Sequence, residues 1–259
     1  HGSYFGQAAT ATLYELCTQL TKDNNDLLWL AILGSTDQYL AGRVDRDTYR
    51  QMATYLSHEV DNKNKDAASE DARDVFAAED GTVVKVAETG RISAEKQELR
   101  FMLYRHWSLY ESIYHSEYAC PRLGVWTTQG KAQMEEFLAK MGISLTQSRQ
   151  KFSFMSPSLV ARLRDQCRAY GPEYNLPELF YTSFSRTYGY RQPIAASDVV
   201  CAVNALLEVG SKASATAAAN GGDNGASNFV HAFNDAMDCL TLKRTGLLTR
   251  GIQLSKNLQ

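Results

Sequence analysis

Apolar residues recur every three or four positions along most of this chain, which is the period of an amphipathic α-helix. Such segments lie at residues 7–22, 46–60, 127–141, 157–170, 198–209 and 227–259. Residues 27–33, by contrast, form the continuous apolar run LLWLAIL, which predicts a deeply buried segment with no polar face. The pattern therefore predicts a mainly helical fold with about eight to ten helices.

The densest aromatic stretch covers residues 95–126 and reads EKQELRFMLYRHWSLYESIYHSEYACPRLGVW. Its aromatic side chains fall three or four positions apart, which predicts one central helix that is buried on more than one side. We interpret His106 and Trp107 on this helix as structural residues. A histidine on so apolar a helix is more often a core residue than a catalytic one.

Three stretches depart from the helical pattern. Residues 59–80 are rich in acidic side chains and poor in apolar ones, which predicts a solvated loop, with contact to a basic partner as the alternative. Residues 81–92 alternate apolar and polar positions around a Thr-Gly pair and predict one β-hairpin. Residues 211–226 are mainly small and polar, which predicts a flexible linker.

The composition is that of a soluble globular protein, with 44% hydrophobic and 22% charged residues. The net charge of -2 argues against a dedicated duplex-DNA binder, which would be more basic. A local groove could still contact a single strand. The segment 157–170 carries the chain's basic stripe, which is a candidate single-strand contact, with a solvated helix face as the alternative. The stripe consists of Arg162, Arg164 and Arg168.

The five cysteines are dispersed without the spacing of metal ligands, which predicts reduced intracellular thiols on apolar faces. No apolar run reaches the roughly 18 residues that a membrane span requires. The first residues also lack the pattern of a signal peptide. We therefore expect no membrane partner.

The sequence lacks the common catalytic motifs, including a GxxxxGKS/T phosphate loop, HExxH and GxSxG. One carboxylate stands out, because the apolar run ends abruptly in Gly34-Ser35-Thr36-Asp37, which predicts a turn. Asp37 either caps the following segment or presents a carboxylate at the edge of the core. A lone aspartate cannot perform two-metal phosphoester hydrolysis, so the residues alone predict a non-enzymatic module without a cofactor.

Residues 99–118, LRFMLYRHWSLYESIYHSEY, resemble the segment that carries the HWSL signature of the cell division control protein 45 family. Three further segments agree with this family in order along the chain. They read ATLYELCTQLTKDNNDLLWLAILGSTDQYL, LGVWTTQGKAQMEEFLAKMGISLTQSRQKFSFM and AASDVVCAVNALLE. The resemblance covers nearly the whole chain and is specific, because four ordered segments coincide.

The resemblance implies a degenerate relative of RecJ-like DHH phosphoesterases that has lost their activity. Such a protein is a nuclear, non-catalytic scaffold subunit of the CMG replicative helicase, needed for origin firing and fork unwinding. Its implied partners are the MCM ring and GINS, with replicative polymerase epsilon and weakly bound single-stranded DNA as further candidates. Asp37 would be a vestigial metal-ligand position. The alternative is a DHH-type metal-dependent phosphoesterase or nuclease fragment that uses Asp37.

The same resemblance implies a mainly α, multi-helix fold with at most one small β-hairpin. The tail of a DHH-type α/β domain, at 1–58, would precede an acidic insert and hairpin at 59–94. An all-helical interdomain region would follow at 95–210, with His106 and Trp107 at the structural junction. We expect a flexible linker at 211–226, helices leading to a further C-terminal domain at 227–259, and a chain that is a central fragment.

Overall fold

A computed structural model describes residues 5–71, 76–77, 83–84, 90–187, 193–219, 225–240 and 245–258. The described chain is mainly helical, which confirms the predicted fold class. It falls into two compact units. The first comprises His1–Lys96 with Thr182–Val199, and the second comprises Gln97–Tyr181 with Val200–Gln259. The five-part domain division predicted above stays a prediction.

The first unit is built on three helices, α1 (Ala9–Gln19), α2 (Asn25–Leu40) and α3 (Arg46–Asp71). Helix α2 carries the continuous apolar run and lies in the core, where Leu28 and Trp29 are fully buried. A helix that is apolar on all sides has no face to offer water, so neighbours must cover it on more than one side. The predicted deep burial of this run is confirmed.

Helix α3 continues to Asp71, so the first part of the stretch predicted to be a solvated loop is helical. Two polar contacts hold this part of the helix. The buried Tyr14 hydroxyl donates to the Glu59 carboxylate at 3.1 Å, and Lys63 forms an ion pair with Asp23. Burial, reinforced by the Glu59 carboxylate, raises the pKa of Tyr14 above its ordinary value. The acidic composition hid these tertiary contacts.

Two small β-structures accompany the helices. A three-stranded sheet has the order β3-β4-β5, with β4 and β5 antiparallel, and a separate antiparallel pair joins β1 to β2. The strands are β1 (Phe76–Ala77), β2 (Val83–Val84), β3 (Ile92–Leu99), β4 (Phe180–Arg186) and β5 (Ile194–Ala195). The described strands therefore exceed the single hairpin predicted at 81–92, and residues 81–82 and 85–89 of that hairpin lie outside the described residues.

The second unit is built from short and medium helices. They are α4 (Leu109–Tyr114), α5 (Ala119–Leu123), α6 (Thr128–Lys140), α7 (Leu145–Arg149), α8 (Pro157–Tyr170), α9 (Ala196–Ala219, which begins in the first unit), α10 (Gly225–Leu240) and α11 (Thr245–Leu258). The start of α8 illustrates favourable local chemistry: the Ser156 side chain accepts the Leu159 amide hydrogen, and proline occupies the first helical position.

Helix α9 extends to Ala219 and α10 begins at Gly225, so the predicted flexible linker at 211–226 is helical over most of its length. Residues 220–224 lie outside the described residues. Alanine has the highest intrinsic helix propensity, and the stretch is rich in it. Low complexity therefore did not exclude a helix here, and the flexibility of this stretch stays a prediction.

The predicted central helix at 95–126 is wrong. This stretch comprises the end of β3, a turn, α4 and α5. The turn requires Leu103 to adopt a left-handed backbone conformation, with φ of 48°, which no α-helix contains. The aromatic residues nevertheless share one core, because the chain folds back on itself and buries Phe101, Tyr104 and Tyr118 together. Their spacing reflected common burial, not one continuous helix.

Candidate functional site

The HWSL segment is fixed by a strained turn and a tight network of backbone hydrogen bonds. The buried Leu103 carbonyl accepts the amide hydrogens of His106 at 2.9 Å and Trp107 at 3.0 Å. The Trp107 carbonyl in turn accepts the Phe152 amide hydrogen at 2.9 Å. The Trp107 ring meets the His115 ring edge to face, with centroids 6.0 Å apart. This geometry holds Trp107 from both its backbone and its side chain.

The structure separates the two residues that we placed at this junction. Trp107 is only 4% exposed, which confirms its predicted burial. His106 is exposed, so its predicted position in the core is wrong. The reason is the turn: it directs neighbouring side chains to opposite sides, which a uniform helical period could not show.

Helix α4 begins with a capping box. The Ser108 hydroxyl oxygen accepts the Glu111 amide hydrogen at 3.2 Å, while the Glu111 carboxylate accepts from the Ser108 amide at 3.4 Å and from its hydroxyl at 3.1 Å. The sequence Ser-Leu-Tyr-Glu is the signal for such a start. This signal was available in the sequence, and it would have placed a helix boundary inside the predicted central helix.

An ion pair connects the turn to strand β3. Glu98 is buried at the end of β3, and its two carboxylate oxygens accept from the Arg105 guanidinium at 2.6 and 2.7 Å. The same guanidinium lies over the Tyr104 ring, 4.5 Å from its centroid. A buried carboxylate requires such a partner, because an unpaired charge in a core is strongly unfavourable. Glu98 therefore fixes the turn to the strand.

Tyr118 lies between two arginines. The guanidinium carbons of Arg100 and Arg122 are 4.2 and 4.1 Å from its ring centroid. Its hydroxyl oxygen accepts the Glu178 amide hydrogen at 2.8 Å. Burial raises the pKa of Tyr118 although the two arginines act in the opposite direction. The residue is thus a neutral, structural phenol.

The Gly34–Asp37 segment does not form the predicted turn, because it lies wholly inside α2. The reading of Asp37 as a helix N-cap is therefore wrong. Its carboxylate accepts from the Arg43 guanidinium at 3.1 Å, and its side chain is 28% exposed. Within the described residues, no group of three His, Cys, Asp or Glu side chains could hold a metal ion. The vestigial-ligand role of Asp37 stays a prediction.

Gly34 has a packing role. A Cβ atom on Gly34 would lie 2.1 Å from the Thr10 hydroxyl oxygen and 3.3 Å from the Thr10 Cβ. Glycine therefore allows α1 to approach α2 closely. A glycine next to polar residues suggested a turn in the sequence, but here it marks the crossing point of two helices.

We expect the Gly34→Ala substitution to lower the free energy of unfolding by about 1–3 kcal/mol, since the methyl group would overpack this crossing. The loss should become much smaller when Thr10→Ala is added, because the closest atom is then removed. Urea unfolding of both single variants and the double variant measures this. An equal loss with and without Thr10 would contradict the packing role.

The three arginines proposed as one basic stripe do not all lie on one face of α8, because only Arg164 and Arg168, four residues apart, share a side. Arg162 and Arg164 are two residues apart in α8, so their directions differ by about 200°. Arg168 also has partners: it donates to Gln97 at 2.5 Å and to Asp165 at 3.3 Å. Single-strand contact by these residues stays a prediction.

The thiols are apolar core or near-core groups. Cys167 is buried, and burial raises its pKa to about 12. Cys239 is likewise buried, with a pKa raised to about 11. A thiol becomes a nucleophile or metal ligand as the thiolate, and burial without a nearby cation disfavours this form. These two cysteines therefore lack the properties of reactive residues.

The sequence did not predict which face of α1 and α10 is buried and which is exposed. On α1 the leucine side chains of the apolar stripe are exposed, while Ala11 and Tyr14 are buried. On α10 the large residues are exposed, while Ala232, Ala236 and Cys239 are buried. The exposed residues are Leu13 and Leu16 on α1 with Leu20 at its C-cap, and Phe229, Val230, Phe233 and Met237 on α10. Period alone cannot decide which of two apolar faces is buried.

These features define a mainly helical protein of two compact units with exposed apolar helix faces, which are typical of surfaces that contact other proteins. None of the helices in the described residues is long and apolar enough to cross a membrane. The CDC45 family model matches residues 1–259, and the chain belongs to the CDC45 family. The relatives from Dictyostelium discoideum and Homo sapiens are named as cell division control proteins and not as enzymes.

Curated relatives and a solved structure agree with this assignment. The chain is 34% identical to the cell division control protein 45 homolog of Dictyostelium discoideum, over 80% of this chain and 34% of that protein. It is 30% identical to the Homo sapiens homolog, over 98% of this chain and 40% of that protein. The chain thus spans between a third and two fifths of these relatives' length. The crystal structure of CDC45 from Entamoeba histolytica has the same fold, with a TM-score of 0.72, 24% identity, and coverage of 99% of this chain and 46% of that one.

Proposed function

We propose that this chain is part of a scaffold subunit of the eukaryotic replicative helicase. The protein would act in the nucleus, in DNA replication and the cell cycle, and would support origin firing and fork unwinding. Its partners would be the MCM ring and GINS, with polymerase epsilon as a further one. The observation that carries this proposal is the family match over residues 1–259, with relatives named cell division control protein 45.

The surface of the second unit supports a role in protein contacts. The exposed face of α10 combines two phenylalanines with a valine and a methionine, each close to half exposed. Aromatic residues and methionine are enriched at protein interfaces. A comparable stripe of leucines lies on α1 of the first unit. Apolar faces of this kind lose contact with water when a partner covers them, and this loss drives association.

We further propose that the protein is a pseudoenzyme and that helicase activity belongs to its MCM partner. Asp37 forms an ion pair with Arg43, which would compete with a metal ion for the carboxylate. The alternative is a DHH-type metal-dependent phosphoesterase or nuclease whose other ligands lie outside this chain. This alternative requires the Asp37 carboxylate to break its ion pair with Arg43 and bind the metal.

Affinity capture of the full-length protein from replicating cells tests the scaffold role. MCM and GINS subunits should be recovered with it, and Asp37→Ala should leave their recovery unchanged. Asp47→Ala provides a control, because it removes a nearby exposed carboxylate in the first turn of α3. Recovery of neither partner would overturn the proposal. Manganese-dependent degradation of single-stranded DNA that Asp37→Ala abolishes, and Asp47→Ala does not, would establish the enzymatic alternative.

A second candidate function is weak capture of single-stranded DNA. Helix α4 carries Tyr110 and Tyr114, whose rings are nearly parallel, with centroids 6.4 Å apart. Arg149 lies over the Tyr110 ring at 4.8 Å, and Lys131 lies over the Tyr114 ring at 5.7 Å. Tyrosines beside cations are the elements with which proteins stack bases and contact phosphates.

Fluorescence anisotropy with a labelled single-stranded oligonucleotide distinguishes this surface from the α8 arginines. The double substitution Lys131→Gln/Arg149→Gln should weaken binding if α4 is the contact. The triple substitution of Arg162, Arg164 and Arg168 to glutamine should do so if α8 is. In both cases the affinity should fall steeply with salt, because phosphate contacts release counterions. Undetectable or salt-insensitive binding would remove this function.

A further inference from the structure

The Glu111 carboxylate serves two elements at once. One of its oxygens, Oε2, accepts from the Ser108 amide and hydroxyl and closes the capping box of α4. The other, Oε1, lies 2.9 Å from the Lys256 ammonium near the end of α11. Burial alone would raise the pKa of Glu111, but the hydrogen bonds from Lys256 and Ser108 lower it. The carboxylate is therefore held in its charged form by both contacts.

Helix α11 brings Lys256 to this position because it packs closely on α9. A Cβ atom on Gly251 would lie 2.7 Å from the Ala202 carbonyl oxygen, so glycine permits the close crossing. One turn later, the Ser255 hydroxyl donates to the Cys201 carbonyl at 3.0 Å. Lys256 follows directly. The Lys256 ammonium group thus reaches Glu111 when α11 is packed on α9.

Helix α4 depends strongly on its cap because it is only six residues long. Helices this short are unstable on their own, so the contacts at their ends decide whether they persist. The cap also adjoins the HWSL turn. The Ser108 backbone forms an isolated antiparallel β-bridge with Lys151, and the Trp107 carbonyl accepts the Phe152 amide hydrogen. Loosening of the cap would therefore extend into the turn.

We propose that Glu111 is a positioning residue that couples the docking of α11 to the start of α4. When α11 is docked, Lys256 restrains the carboxylate in the orientation that closes the capping box. When α11 is released, the carboxylate loses this restraint, and the first turn of α4 opens more often. The coupling is reciprocal, since any two events linked by a shared interaction must influence each other equally. This inference goes beyond the proposed scaffold role and does not rest on it.

Hydrogen exchange on the whole chain tests this coupling. The Lys256→Met variant keeps the aliphatic part of the side chain and removes the charge. We expect the Glu111 and Ser112 amides to exchange roughly two- to fivefold faster, the range expected for an exposed ion pair. Lys140→Met is the matched control, because it breaks another 2.9 Å ion pair of the same unit, with Glu173, away from α4. The control should leave both amides unchanged.

A double-mutant cycle and a reciprocal variant complete the test. Glu111→Gln keeps an acceptor for Ser108 and loses the charge, so adding Lys256→Met to it should have almost no further effect on α4. Ser108→Ala removes the cap alone and should speed amide exchange in α11 by a similar factor. Unchanged α4 exchange in Lys256→Met, additive effects in the cycle, or unchanged α11 exchange in Ser108→Ala would each overturn the coupling.

Discussion

Gly130→Ala should lower the free energy of unfolding by about 3 kcal/mol or more. A Cβ atom at this position would lie 1.9 Å from the Gly124 carbonyl oxygen and 2.5 Å from the Leu123 carbonyl oxygen. Both are backbone atoms, so no side-chain rotation can relieve the overlap. Either α6 must move away from the preceding loop, or the loop must change its conformation.

The loop has little freedom to change. Gly124 ends α5 in the left-handed conformation, with φ of 62°. Its carbonyl oxygen accepts both the Thr127 amide at 2.9 Å and the Thr127 hydroxyl at 2.9 Å. The Thr127 hydroxyl oxygen also caps α6 by accepting the Gly130 amide hydrogen at 2.9 Å. Shifting the Gly124 carbonyl would therefore break a set of hydrogen bonds that act together.

Urea unfolding followed by circular dichroism measures this effect, and Gly246→Ala is its matched control. Gly246 also lies near the start of a helix, α11, but a Cβ atom there would meet nothing within 4 Å. The control should be neutral or slightly stabilising, because alanine is the better helix former. A loss below about 1 kcal/mol for Gly130→Ala would show that the loop is not held against α6 as described.

The sequence predicted those helices and buried segments whose local pattern is compatible with only one structure. The apolar run of α2 could only be buried, and Ser156-Pro157 starts α8 as expected. The start of α4 was equally predictable, because Ser108 and Glu111 have the spacing of a capping box. The aromatic period of the surrounding stretch is a stronger pattern and concealed this signal.

Other features could not be predicted because they depend on tertiary contacts. Helices α1 and α10 each have two apolar faces, and only packing decides that the side with Ala11 or Ala232 is buried. The closeness of Gly34 to Thr10 likewise depends on how two helices cross. For the candidate site, the sequence indicated the importance of the HWSL segment through its resemblance. It could not show that Glu98 pairs with Arg105 or that Lys256 of α11 contacts Glu111.

Trp107→Ala should lower the free energy of unfolding by about 3–5 kcal/mol, the range for removing a large aromatic side chain from a core. The side chain is 4% exposed, and its ring contacts His115 edge to face. The turn around it contains a strained Leu103, which persists only while the surrounding contacts over-determine it. The loss of the indole should therefore also loosen this turn.

Trp126→Ala separates burial from the mere loss of a tryptophan. Trp126 is 66% exposed, so its truncation should change stability by no more than about 0.5 kcal/mol. Urea unfolding should show a loss in the free energy of unfolding that is several-fold larger for Trp107→Ala than for Trp126→Ala. A loss below about 1 kcal/mol for Trp107→Ala would contradict its role in the core. Because Trp107 is buried in the core, partner capture measured at a temperature where the variant remains folded should stay intact.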